Sequence, residues 1–164
     1  MEFRIDKRAL VDALRERLTA ELGRSTGQAV DAAAGATHEE NSAEGDKDMR
    51  STEASYVARG HAERVQVLKE ALVTLGAMTL REFRDGDRIA SSAVVDLTYD
   101  GREHRYFLLP VAGGERLELG AGMALSTLAA TSPLGLALLG LTAGDEAEVA
   151  TPGGTRIYEV TRVR

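Results

Sequence analysis

Ala54-Ser55-Tyr56-Val57-Ala58-Arg59-Gly60-His61-Ala62-Glu63-Arg64-Val65-Gln66-Val67-Leu68-Lys69-Glu70-Ala71-Leu72-Val73-Thr74-Leu75 places Ala54, Ala58, His61, Val65, Leu68, Leu72 and Leu75 at alternating steps of four and three residues. That step keeps all of them on one edge of an α-helix, the seam of a coiled coil. A helix with one apolar edge needs a second helix against it. Leu10, Leu14, Leu18 and Leu22, with Val11 beside them, begin such a partner, and Ala29, Val30, Ala33 and Ala34 continue it. Between the two lies the polar connection Gly35 to Asp48, so the pair is expected to form an antiparallel hairpin with the connection at its tip. Arms of ~30 residues at ~1.5 Å each would project ~45 Å. Gly23 and Gly27 each cost roughly 1 kcal/mol inside a helix, which predicts a kink or fray in the first arm.

Beyond about Thr79 the pattern changes. Arg81 to Arg88 reads as a connector, and Ile89, Ser91, Ala93, Val95, Leu97 and Tyr99 then share one face at period two. Asp100-Gly101 supplies a tight turn, and Tyr106 to Leu109 the returning strand. Ser132 is an N-cap with Pro133 at the first helical position, and Gly140 closes a short apolar helix that is expected to be buried. Asp145 to Ala150 and Thr155 to Val163 are strands joined by Thr151-Pro152-Gly153-Gly154. The fold class is therefore α+β: a two-helix coiled-coil hairpin over residues 1–78, then a small antiparallel sheet with one short helix over 79–164.

Composition narrows the function. The 164 residues include 20 Lys plus Arg against 26 Asp plus Glu, a formal net charge of −6, with no Cys and no Trp. No disulfide or thiolate zinc site can form, and His38, His61 and His104 have no metal-ligand spacing. The longest apolar stretch, near Leu134 to Leu141, is far shorter than the ~20 residues of a membrane span. The charged start, Met1 to Asp6, is unlike a secretory signal, so a cytoplasmic protein is expected. The acidic balance disfavours direct binding to nucleic acid, and any such role should be indirect.

Few motifs carry chemistry. Gly23-Arg24-Ser25-Thr26-Gly27 matches the nucleophile elbow, which needs a strand before the Ser, whereas Arg15 to Leu22 reads as helix. Gly120-Ala121-Gly122 lacks the third glycine of a dinucleotide site. His61 reads as a packed seam residue and His104 as a solvated strand residue. The tip stands out: residues 36–48 hold Glu39, Glu40, Glu44, Asp46 and Asp48 against one Lys47. Such acids suit the positive end of a helix dipole, and they are equally the hard oxygen ligands that Mg²⁺ takes, one or two per ion, with the rest supplied by a partner.

Ser132-Pro133-Leu134-Gly135-Leu136-Ala137-Leu138-Leu139-Gly140, then Gly144-Asp145, then Thr151-Pro152-Gly153-Gly154 with Tyr158-Glu159-Val160, resembles the C-terminal signature of the GreA/GreB transcript cleavage factors. The resemblance implies an FKBP-like C-terminal domain that docks on bacterial RNA polymerase, with Ser132, Pro133, Leu134 and Gly135 as partner-binding residues. It also implies a coiled coil that enters the secondary channel of that enzyme. Tip acids of the family help hold the polymerase's second Mg²⁺, and the polymerase itself cuts the backtracked RNA at its 3′ end. Glu39 and Glu40 are then the catalytic candidates, with Glu44 as a further metal ligand. The tip departs from the family pattern of Asp-Leu-Ser-Glu-Asn-x-Glu-Tyr: with Glu40-Asn41 aligned on Glu-Asn, Thr37 stands where the first Asp belongs and Gly45 near the Tyr. The expected protein is a monomeric activator, not an enzyme. The alternative is a channel binder that regulates without cleavage. Prolyl isomerisation is not expected, since only Tyr99, Tyr106, Phe107 and Tyr158 lie in this half's strands, too few for an aromatic peptide pocket.

Overall fold

The computed structural model describes the backbone of residues 4–41 and 47–164 and, within these, all side chains except those of 38–41, 47–48 and 51. Helix gives way to strand after Ala77. By compactness the chain forms one unit of residues 15–73 and another of residues 1–14 with 74–164.

The first unit consists of the greater part of two long helices, α1 (Lys7–Asn41) and α2 (Lys47–Ala77), whose residues 7–14 and 74–77 belong to the second unit. The seam of α2 matches the heptad: Leu68 and Leu75 are buried, Ala54, Ala58, His61, Val65 and Leu72 are half-buried, and Val57, Val67 and Val73 between them are exposed. The α1 seam takes another course than its composition suggested. Val30, Ala33 and Ala34 are exposed, and the edge runs instead through Leu18, Leu22, Ser25, Ala29, Ala32 and Ala36, again at steps of four and three. Alanine occurs on every face there, so hydropathy cannot choose between faces. Ser25, 6% exposed, is thus a small seam residue on a helix, and the elbow reading has no strand to rest on. Arg64 of α2 reaches Glu21 of α1, its Nε donating to Oε1 at 2.9 Å.

Two expectations are corrected here. α1 does not fray at Gly23 or Gly27 but runs through both, because the helix is cooperative and two local costs do not outweigh the ladder on either side. Nor does the connection begin at Gly35: α1 continues through Ala36, Thr37 and the good helix formers Glu39 and Glu40 to Asn41. A Cβ placed on Gly23, Gly27 or Gly60 would meet nothing within 4 Å. Gly27→Ala together with Gly60→Ala is therefore expected to stabilise the helices by about 2 kcal/mol, seen as a higher midpoint when the helical circular dichroism is followed in urea.

The second unit holds a six-stranded sheet in the order β3-β4-β2-β1-β6-β5, from β1 (Val94–Tyr99), β2 (Arg102–Leu109), β3 (Arg116–Gly120), β4 (Met123–Ala129), β5 (Glu146–Thr151) and β6 (Gly154–Val163). Four of its pairings are antiparallel; β2 and β4 run parallel, with Tyr106 opposite Ser126 and Leu109 opposite Ala129. The sheet is thus mixed, because the β3–β4 hairpin returns to the edge of β2 in the same direction as β2. β1 starts later than the period-two pattern: Ser92 has φ 72, and Ile89 bonds the loop after α3 (Pro133–Leu138), donating to Leu141 O at 2.8 Å and accepting from Gly140 N at 2.9 Å. The face assignment survives, since Ile89, Ala93, Val95 and Leu97 all enter the core with Leu108, Leu138 and Val160. Val94, Phe107 and Leu109, on the alternate face, are also buried, so both faces of the central strands are covered.

One ionic network crosses the sheet. Asp96 of β1 accepts from Arg105 Nε at 2.6 Å and Nη2 at 3.1 Å, and from Arg164 Nη2 at 2.7 Å. The bond to Asp96 holds Arg105 above its ordinary pKa, whereas burial draws Arg164 below it.

Candidate functional site

Three places answer to the sequence-derived candidates. The first is the distal end of α1. Glu39 and Glu40 lie in the last turn of that helix, which ends at Asn41, while Glu44 lies outside the described residues. Carboxylates are favoured at the positive N-terminal end of a helix dipole and disfavoured at the C-terminal end, by about 0.3–1 kcal/mol each. Helix electrostatics therefore explain neither residue. Thr37, one turn earlier, has its hydroxyl committed, donating to Ala33 O at 3.0 Å. Among the described residues no group of three or more His, Asp or Glu side chains could hold a metal ion alone.

The second place is the start of α3. Ser132 caps it: its Oγ accepts from Gly135 N at 3.1 Å and donates to Ala129 O at 2.7 Å. Gly135 is buried, and a Cβ there would lie 2.2 Å from Ala129 O. Leu134 packs half-buried against the core. Of the four candidate contact residues, only Pro133 presents an exposed side chain. The helix is less buried than its composition implied, because six residues cannot hide every face of an all-apolar turn. Leu136 is 60% and Leu139 41% exposed. Sequence reasoning missed these two as surface residues; an apolar residue at every position leaves no amphipathic pattern to read.

The third place is the core face of the sheet, where FKBP-like folds offer a peptide pocket. Here Tyr99 and Tyr158 stack on each other, centroids 4.7 Å apart, with the Arg156 guanidinium 5.7 Å from the Tyr99 ring. Burial raises the Tyr106 pKa above the ordinary phenol value, and His104, expected to be solvated, is half-buried with its ring 6.3 Å from that of Tyr106.

Residues 84–164 match the family described as "Transcription elongation factor, GreA/GreB, C-term". Residues 84–164, about half of the chain, thus form a divergent GreA/GreB C-terminal domain. The chain is 38% identical over 80 residues to the transcription elongation factor GreA of Rhodospirillum rubrum, a match covering 48% of this chain and 47% of that protein. With the GreA of Syntrophus aciditrophicus it shares 29% identity over 102 residues, 61% of this chain and 58% of that one. The matches span about half the length of these relatives. Among solved structures, the GreA factor homolog 1 protein of Thermus thermophilus is 24% identical with a TM-score of 0.37, covering 92% of this chain and 94% of its own. No helix among the described residues is long and apolar enough to cross a membrane.

Proposed function

We propose that this protein acts on bacterial RNA polymerase, entering its secondary channel with the α1–α2 hairpin and stimulating cleavage of backtracked RNA near the transcript's 3′ end. The observation that carries this reading is the placement of Glu39 and Glu40 in the last turn of α1, where the helix dipole opposes them. Two adjacent carboxylates that the helix dipole disfavours are suited to sharing a hard cation whose remaining oxygen ligands come from the polymerase. Glu39 and Glu40 would be those ligands, with Glu44 as a further one. Bound there, Mg²⁺ supplies water activation and charge stabilisation at the leaving oxygen. The protein is then an activator and the hydrolysis belongs to its partner. The exposed Pro133, Leu136 and Leu139 would dock the sheet unit, with Ser132, Leu134 and Gly135 shaping the helix that presents them.

Added to stalled, backtracked complexes, the purified protein is expected to shorten the RNA. Glu39→Ala with Glu40→Ala should slow this on the order of 100-fold, the scale of losing a charge-stabilising group at a reaction centre. Unshortened RNA with the wild type would exclude cleavage stimulation. A second reading is favoured by Thr37: it stands where the family pattern has an acid, and its hydroxyl is spent on the helix backbone. A non-cleaving channel binder would hold polymerase and displace other channel regulators with RNA length unchanged.

A further inference from the structure

Lys7 is the first residue of α1, and its surroundings oppose a positive charge. The residue is 6% exposed. It stands at the N-terminal, positive end of the helix dipole, and the neighbouring cap carboxylate serves the backbone, Asp6 Oδ1 accepting from Ala9 N at 3.0 Å. Lys7 Nζ donates to Arg81 O at 2.5 Å and lies 4.8 Å from the centre of the Phe83 ring, over which the Arg81 guanidinium also stands at 4.9 Å. Two cations thus share one ring. The carboxylate that favours an ammonium here, Glu82, is itself largely in water.

Burial is the largest influence and lowers the Lys7 pKa from 10.5 to about 8, Glu82 opposing and Arg81 assisting. A far larger share of this amine than of an ordinary lysine is therefore neutral near pH 7. Donating one N–H to Arg81 O leaves the lone pair of the neutral amine free. A lysine desolvated beside a second cation is an activated nucleophile, the condition under which lysines condense with carbonyl compounds. There is room for a reactant. Lys7 lines a cleft of about 490 Å³ whose apolar walls include Ile5, Phe83 and Val163, and a second of about 420 Å³ with Asp6, Leu80 and Glu82. Both volumes fall in the range of small-ligand sites, roughly 300–1,000 Å³.

We propose that Lys7 is a covalent binding site for a small aldehyde, held as a Schiff base with its carbon chain in the cleft beside Phe83. The Nζ lone pair attacks the carbonyl carbon, the carbonyl oxygen leaves as water with the two amine protons, and a C=N bond remains. The site is separate from the acids and the apolar turn through which the chain is proposed to act on polymerase.

The test incubates the full folded chain with propanal near neutral pH and fixes the adduct with cyanoborohydride. Trypsin cuts after Arg4 and Arg8, so mass spectrometry reads Lys7 in the peptide of residues 5–8, apart from Lys47 and Lys69, the other two lysines of the chain. Lys7 is expected to react about tenfold faster than the exposed Lys69, at a rate that climbs through a midpoint near pH 8. The NMR signals of the Phe83 ring should shift with the adduct, and unfolding in guanidinium chloride should erase the preference for Lys7. Glu82→Gln, at an exposed position that leaves the core intact, removes the carboxylate favouring the ammonium and should speed the reaction about twofold. Lys7 reacting no faster than Lys69, a preference that persists in denaturant, an unmoved Phe83 ring, or slower reaction in Glu82→Gln would each overturn the proposal.

Discussion

Gly135→Ala is expected to destabilise the sheet unit by about 3 kcal/mol, the upper end of what overpacking costs. The added Cβ would lie 2.2 Å from Ala129 O, 2.9 Å from Ala130 Cα and 3.0 Å from Ala130 C, all backbone atoms that cannot swing aside. Either α3 lifts from the end of β4, losing the Ser132 cap, or the strand end deforms. Ser132→Ala, which removes the cap and leaves the close approach intact, should cost only about 1 kcal/mol. Urea unfolding of both variants measures the difference, and Gly27→Ala provides the opposite sign for the same chemical change. Equal midpoints for Gly135→Ala and the wild type would show that α3 is not pressed on the strand as described.

A comparable loss, about 2–3 kcal/mol, is expected of Asp96→Ala. Its carboxylate takes three donors from two arginines, Arg105 in a two-bond fork and Arg164 singly. Removing it leaves two partly buried guanidinium groups near each other with no anion between them. Fully buried pairs broken this way lose about 3–5 kcal/mol; here the side chains keep 16% to 25% of their exposure, and solvent screening trims the figure. Asp96→Asn keeps an acceptor and should lose about half as much. The check is thermal unfolding of the three proteins at one ionic strength. An Asp96→Ala protein as stable as the wild type would mean the arginines repay the loss by moving into water.

The α2 seam and the α3 cap were legible in the sequence because each rests on local chemistry: branched and long aliphatics at heptad spacing, and Ser-Pro ahead of an apolar turn. The distal half of the α1 seam was not, since Ala29, Ala32, Ala33, Ala34 and Ala36 differ in burial but not in character. Period two placed the core face of β1 correctly, yet could not show that Ser92 breaks the strand with a positive φ. The parallel β2–β4 contact was illegible for another reason: it joins strands with β3 and two turns between them, and no short window records it. At the candidate site the acids were visible, but not that Glu39 and Glu40 close a helix instead of opening one. The cleft beside Phe83 gathers residues from 4 to 164, a grouping no spacing rule contains.

The order of strands has a consequence for biosynthesis. β6, the last strand, lies between β5 and β1, and β1 holds it through Val95 opposite Val163 and Leu97 opposite Val160. A nascent chain emerging from the ribosome can form its helices early, but its sheet stays open down the middle until residue 163 has been synthesised.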